Sequence, residues 1–245
     1  MNVQLKSLKA LSSKVAKIIA KHRLIEPNDR IIIGLSGGND SYVALDVFAF
    51  IHKKSPFPFE MKAIHVIIKE AGYKADLDFM TSFCEQRNIP LEILELSVDI
   101  TKNPDKSPCY ACSWHRRKAL FAYTKQHHYN KLALGHHMDD AVETMLLNMI
   151  YHGSISSMPY TLKMFNGRMQ LIRPLLEMEK TAIDNHARLI NVAGELVRCP
   201  YADETKRYHV NQVLQNMISM NKNAKKNLFR APSKFCSEYL PIITD

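Results

Sequence analysis

The stretch Ser36-Gly37-Gly38-Asn39-Asp40-Ser41 separates an apolar run, "RIIIGLS", from an amphipathic one, "SYVALDVFAFIHKK". Two adjacent glycines permit a tight turn and a close approach of backbone to ligand. Successive amides at the start of a helix make a nest for an anion. Ser36 and Ser41 add hydroxyl donors, and Asp40 is placed either to cap the helix or to face a cation. The residue types suit phosphate, yet the stretch contains no lysine. It is neither GxxxxGK[ST] nor GxGxxG. Taken alone, it reads equally well as a capped Gly-Gly turn.

Two further groups of residues carry chemistry. "GHHMDD" (135–140) crowds His136, His137, Asp139 and Asp140 at one helix start. Aspartates there answer the helix dipole. Histidines and carboxylates are also metal ligands, although adjacent histidines cannot easily chelate one ion. Cys109 and Cys112 in "SPCYACSWHRRKAL" form a C-x-x-C. That pattern serves as half a zinc site, a redox pair or half an iron–sulfur site. No second C-x-x-C exists, but Cys199 in "LVRCPYADET" offers one more thiol. Cys84 lies at helical spacing with Leu77, Met80 and Thr81, which reads as core packing. Cys236 has no role assigned.

The elements that must position these residues follow from composition and period. Apolar residues make up 46% of 245, enough for a sizeable core. No apolar run reaches the roughly 18–20 residues that span a bilayer. No continuous apolar block follows the N-terminal lysines, as a signal peptide requires. The expectation is a soluble, cytoplasmic protein with no membrane partner. The net charge of +9 fits a polyanionic partner, nucleic acid first, or simple solubility. Five cysteines, an odd number, argue against a disulfide framework.

Residues 5–23 predict an amphipathic helix with Leu8, Leu11, Val15, Ile18 and Ile19 on one stripe. Strands are expected at 30–36, 60–68, 90–97, 131–135 and 169–176. Helices are expected at 41–54, 75–88, 113–126 and 139–152, and the chain reads as mostly helical from 181. The alternation implies an α/β fold, a Rossmann-like parallel sheet with helices on both faces. Ligands in such a sheet bind beyond the carboxyl ends of the strands. Three regions are expected: an N-terminal helix (1–28), a core (29–180) and a helical extension packed on it (181–245).

Ser-Gly-Gly-x-Asp-Ser after a first strand resembles the PP-loop of the ATP-pyrophosphatase superfamily (adenine nucleotide alpha hydrolase-like fold). "ALGHHxDDxxxT" and "C-x-x-C-S-x-x-R-R" resemble the tRNA 2-thiocytidine synthetases within it. The resemblance covers roughly residues 5–220 and includes "RLIEPNDRIIIGLSGG" and "QLIRPLLEMEKTAI". It implies that ATP sits over Ser36, Gly37, Gly38, Asn39, Asp40 and Ser41, with Gly135, His136, Asp139, Asp140 and Arg173 completing the nucleotide site. Asp40 and Asp139 would hold Mg²⁺. Cys109, Cys112 and Cys199 would hold a 4Fe-4S cluster with one open iron. The implied reaction adenylates the C2 oxygen of a tRNA pyrimidine, most simply an anticodon-loop cytidine, and replaces it with sulfur. Sulfur would come from a cysteine desulfurase or free sulfide. Arg116, Arg117, Lys225 and Lys226 would meet RNA, and self-association into a homodimer is compatible with it. Relatives often carry lysine where this chain has Asn39. "CPYADETKRYHV" is closer to the 2-thiouridine branch, and Ala202 stands near an expected second cysteine. A tRNA 2-thiouridine synthetase, a PP-loop ATPase with zinc at the three cysteines acting on a small molecule, and a non-catalytic RNA-binding protein are the alternatives.

Overall fold

The computed structural model describes residues 2–72, 75–102, 107–192, 206–234 and 236–239. Its strands are β1 (Arg30–Gly34), β2 (Glu60–Ile68), β3 (Leu91–Leu96), β4 (Lys131–Ala133), β5 (Thr161–Met164) and β6 (Met169–Ile172). They form one six-stranded sheet in the order β3-β2-β1-β4-β6-β5. Every neighbouring pair is parallel except β5 with β6. The helices are α1 (Val3–His22), α2 (Asn39–His52), α3 (Leu77–Glu85), α4 (Pro108–Gln126), α5 (Met138–His152), α6 (Lys180–Leu189), α7 (Lys206–Met220) and α8 (Ala224–Arg230). None of them is long and apolar enough to cross a membrane.

Strand side chains alternate between two cores. Ile31, Ile33, Ala63, Ala133 and Ile172 join a core with α1, α2, α3 and α6. Ile32, Ile64, Leu132 and Leu171 join another with Leu120 and Tyr123 of α4. Both faces of the sheet are therefore buried, and its strands are apolar runs rather than alternations. On α1 the expected stripe is buried through Leu11, Val15, Ile18 and Ile19, while Lys6, Lys14, Lys17 and Lys21 are exposed.

The chain divides into two compact units, Met1–His137 with Pro159–Thr205, and Met138–Met158 with Lys206–Asp245. These bounds differ from those expected. The N-terminal helix is part of the first unit's core, and so is α6, through Ile183 and Ala187. In the second unit, Met138, Val142 and Leu146 of α5 pack with Val210 and Leu214 of α7. Two smaller expectations also shift. Residues 161–172 form a hairpin turning through Phe165, Asn166 and Gly167, all with positive φ. Strand β5 has a mixed exposure pattern, so no periodic signal announced it. Helix α4 begins at Pro108 rather than 113, because Ser107 caps it and proline suits a first turn.

Chain order places β2 and β3 to one side of β1, and β4 to the other. The loops leaving β1 and β4 therefore diverge and open a crevice. One close contact fixes them together. A Cβ at Gly135 would lie 2.9 Å from the Asp40 carbonyl oxygen and 3.3 Å from the Ser41 nitrogen. Only glycine lets the exit of β4 lie against the first turn of α2.

A buried polar cluster fixes the same helix from its other end. Arg87 Nε donates to Asp46 Oδ1 (2.6 Å), and His186 Nε2 donates to Asp46 Oδ2 (2.8 Å). His186 Nδ1 then accepts from the Ser7 hydroxyl (2.9 Å). Helices α1, α2 and α6, with Arg87 after α3, are joined in one network. Burial alone would raise the Asp46 carboxyl, but His186 and Arg87 outweigh it and hold it below its ordinary value.

Two stability predictions follow from these contacts. Asp46→Ala leaves Arg87 and His186 without their acceptor and should cost about 3–5 kcal/mol in urea unfolding at neutral pH. Because the folded carboxyl titrates low, its contribution is present above the ordinary carboxylate range. It is lost as pH falls through the folded value, so the variant's deficit should shrink in acid. A deficit that persists unchanged at the acid end contradicts this account. Gly135→Ala must displace helix backbone and should cost about 1–3 kcal/mol. A Cβ at Gly38 meets only Ser36 Oγ at 3.6 Å, so Gly38→Ala should stay within about 1 kcal/mol of the parent. Equal losses for the two alanines would refute the packing argument.

Candidate functional site

The stretch after β1 is organised by Ser41. Its Oγ accepts from Ser36 N (3.1 Å) and from the Ser36 hydroxyl (3.2 Å), and donates to the Gly38 carbonyl (2.8 Å). Gly37 sits at φ 87°, the left-handed region where a side chain would be strained. Gly38 is the N-cap of α2, and no side chain caps that helix. The Ser41 and Tyr42 amides bond to the Gly38 carbonyl (3.0 and 3.2 Å), so the Asn39 and Asp40 amides and the positive end of the dipole are what the helix start offers to an occupant of the loop.

Asp40 does not cap; it faces cations. Lys180 Nζ donates to Asp40 Oδ1 at 2.6 Å, and His137 Nε2 lies 3.6 Å from the same oxygen. Lys180 also pairs with Asp184 Oδ1 (3.1 Å), which accepts from Asn39 Nδ2 as well (3.3 Å). Burial pushes the Asp40 carboxyl up, but His137 and Lys180 outweigh it, and the net shift is downward. Burial pushes the Lys180 ammonium down, but Asp40 and Asp184 outweigh that and raise it. Both groups are therefore charged at neutral pH. Lys180 was not singled out from the sequence. Its signal was available: "EKTAID" follows the exit of β6, at the same edge of the sheet, with Lys180 and Asp184 at i, i+4.

Other expected residues take definite places. His65 of β2 bonds through Nδ1 to the Leu35 carbonyl (2.7 Å). Burial lowers its pKa, and the charge of Arg116 lowers it further. Arg116 is half-buried, whereas Arg117 is exposed. Arg173 is buried after β6, and its Nη1 donates to the Pro159 carbonyl (2.7 Å).

Cys109 and Cys112 stand one turn apart in the first turn of α4. Cys112 packs against Ile68, Ala71 and Ile100, beside the carboxyl end of β2. Cys199 lies outside the described residues. Among those described, no three His, Cys, Asp or Glu side chains form a group able to hold a metal ion. Cys84 is buried in the core, as its spacing implied, and burial pushes its thiol up to about 11. Cys236 is exposed.

In the second unit Asp139 and Asp140 occupy the first turn of α5. Asp139 binds the Lys225 ammonium, and Asp140 Oδ1 accepts from Arg207 Nη1 (2.9 Å). Asp139, expected at a metal, therefore carries an internal cation. Lys225, expected against RNA, has its charge on Asp139 and is mostly buried, while Lys226 is exposed.

A PP-loop domain matches residues 7–194. The tRNA-cytidine(32) 2-sulfurtransferase of Xylella fastidiosa (strain M23) is 37% identical over 188 residues, covering 75% of this chain. The chain spans 62% of the length of that relative. The protein of the same name from Geotalea daltonii is 32% identical over 230 residues, covering 91% of this chain and 90% of that one. Among solved structures, the U34-tRNA thiolase NcsA from Methanococcus maripaludis, with its 4Fe-4S cluster, shares the fold at a TM-score of 0.75 and 22% identity. That match covers 97% of this chain and 81% of the thiolase. NAD+ synthetase from Burkholderia pseudomallei shares it more distantly, at a TM-score of 0.51 and 13% identity, over 98% and 92% of the two chains. With the domain matched over most of its length and a relative aligned nearly end to end, the chain belongs to the PP-loop family.

Proposed function

We propose that the protein is an ATP-dependent tRNA sulfurtransferase that converts a cytidine to 2-thiocytidine. The observation that carries the reading is the glycine loop with an uncapped helix behind it. It lies at the switch point of a parallel sheet, in a chain whose relatives are named for this reaction. The β- and γ-phosphates of ATP lie over Gly37–Ser41, where the first amides of α2 donate to them. The pyrimidine C2 oxygen attacks the α-phosphorus and pyrophosphate leaves. Sulfide then attacks C2 and AMP leaves with the former oxygen. The base must be unpaired or extruded for C2 to be reached. Arg116, half-buried beside the C-x-x-C, suits the adenylate; Arg117, Lys226 and the exposed lysines of α1 suit the RNA backbone, which makes binding salt-dependent. The site of action is the cytoplasm.

Two resident groups fit the residues present. Asp40, ionised and partly exposed, is the kind of single carboxylate Mg²⁺ needs, and the ion would offset phosphate charge. The paired thiols at the α4 N-terminus fit two ligands of a 4Fe-4S cluster, with Cys199 as the third. That cluster, when bound, would supply the sulfide, drawn from free sulfide or from the persulfide of a cysteine desulfurase once a thiol reductant has released its outer sulfur as sulfide.

The test is nucleoside mass spectrometry of tRNA from cells lacking the gene. Loss of 2-thiocytidine, restored by the wild-type gene, is expected. Loss of 2-thiouridine would overturn the choice of base, and no change would overturn thiolation. Cys109→Ser and Cys112→Ser should each lower thiolation by at least about a hundredfold, the upper end of what losing a group that merely supports a metal ligand costs. Both should leave tRNA-dependent ATP–pyrophosphate exchange intact. Loss of exchange with them would place the cysteines in nucleotide binding instead.

A further inference from the structure

The loop at 36–41 presents amides, hydroxyls and one carboxylate, but no cation. A triphosphate placed there meets the Asp40 charge at close range. Charge-assisted donors are what make phosphate sites tight, and one stands at the mouth of the loop. The Lys180 ammonium touches Asp40 and Asp184, and it shares Asp184 Oδ1 with the Asn39 amide. It therefore sits beside residue 39, on the loop itself, although it comes from α6.

We propose that Lys180 is the phosphate-binding cation of this site, delivered from α6 because the loop carries none. The assignment rests on the reading of the loop as a triphosphate site. A plain tether between α2 and α6 explains the contact less well. The two helices are already joined through the buried Asp46–His186 bond. The Lys180 and Asp40 side chains keep 35% and 33% of their exposure, so their pair adds little to stability. That exposure leaves the ammonium accessible to an incoming anion. The four-carbon stem lets it rotate from carboxylate to phosphate oxygen without movement of the helix. Asp40 and Asp184 hold the ammonium ready while the loop is empty. On binding, Asp40 is released as a carboxylate able to face a divalent cation.

The experiment measures dissociation constants for ATP and for AMP, each with magnesium, on the full chain. AMP lacks the phosphates that the ammonium would hold. Lys180→Ala should weaken ATP by about 10- to 100-fold, the worth of a hydrogen bond to a charged group. It should leave AMP within about twofold. Asn39→Lys placed in the Lys180→Ala chain returns a cation to the same spot and should recover most of the lost ATP affinity. An unfolding midpoint measured alongside separates affinity from folding. ATP affinity unchanged in Lys180→Ala, or ATP and AMP weakened alike, overturns the assignment while the triphosphate site stands. A wild-type chain that binds no ATP overturns the triphosphate reading, and the Lys180 assignment with it.

Discussion

The Asp40 carbonyl oxygen lies where a side chain at position 135 would begin. That contact sets the geometry of the first unit's site. It brings the segment leaving β4 against the first turn of the helix that follows β1, so two loops far apart in sequence share one crevice. The sheet order makes the crevice, because β1 sends the chain one way and β4 lies on the other side. The glycine decides how closely its walls approach. The uncapped start of α2 then faces into a space shaped by backbone and not by side chains, which suits a ligand recognised by its phosphates.

Charge is managed inside each unit by pairing. In the first, Asp40 stays ionised because His137 and Lys180 outweigh the cost of its burial. In the second, Asp139 and Asp140 answer Lys225 and Arg207. Buried carboxylates without such partners would take up protons. The Asp40–Lys180 and Asp140–Arg207 pairs, which keep part of their exposure, differ from Asp139–Lys225 and from the Asp46–His186–Arg87 network, which are mostly buried. Pairs that keep some exposure can exchange partners with a ligand at modest cost, whereas the buried network cannot.

Much of this was legible in the sequence, for physical reasons. The strands of the parallel sheet are buried on both faces, so they appear as apolar runs bounded by loops. The loops at 36–41 and 135–140 stand where those runs end. The thiol at Cys84 was readable as core from helical spacing alone. What escaped notice depended on tertiary contact or weak period. Strand β5 has no alternation to detect. The C-x-x-C fell outside the expected helix because Ser107 and Pro108, which start it early, resemble loop residues. Lys180 was passed over because its partner Asp40 lies 140 positions away, although its place after β6 and its i, i+4 spacing to Asp184 were visible in the sequence. Helix α6 joined α1 and α2, and α5 joined α7, because each buries its apolar side chains there and not with its neighbour in sequence.

The account turns on which phosphate bond of ATP is broken. Turnover of ATP labelled at the α- and γ-phosphates, with bulk tRNA and the reconstituted protein, measures it directly. AMP and pyrophosphate should appear in equal amounts, and only when tRNA is present. ADP with orthophosphate, or turnover indifferent to tRNA, would contradict adenylation of a base at this loop.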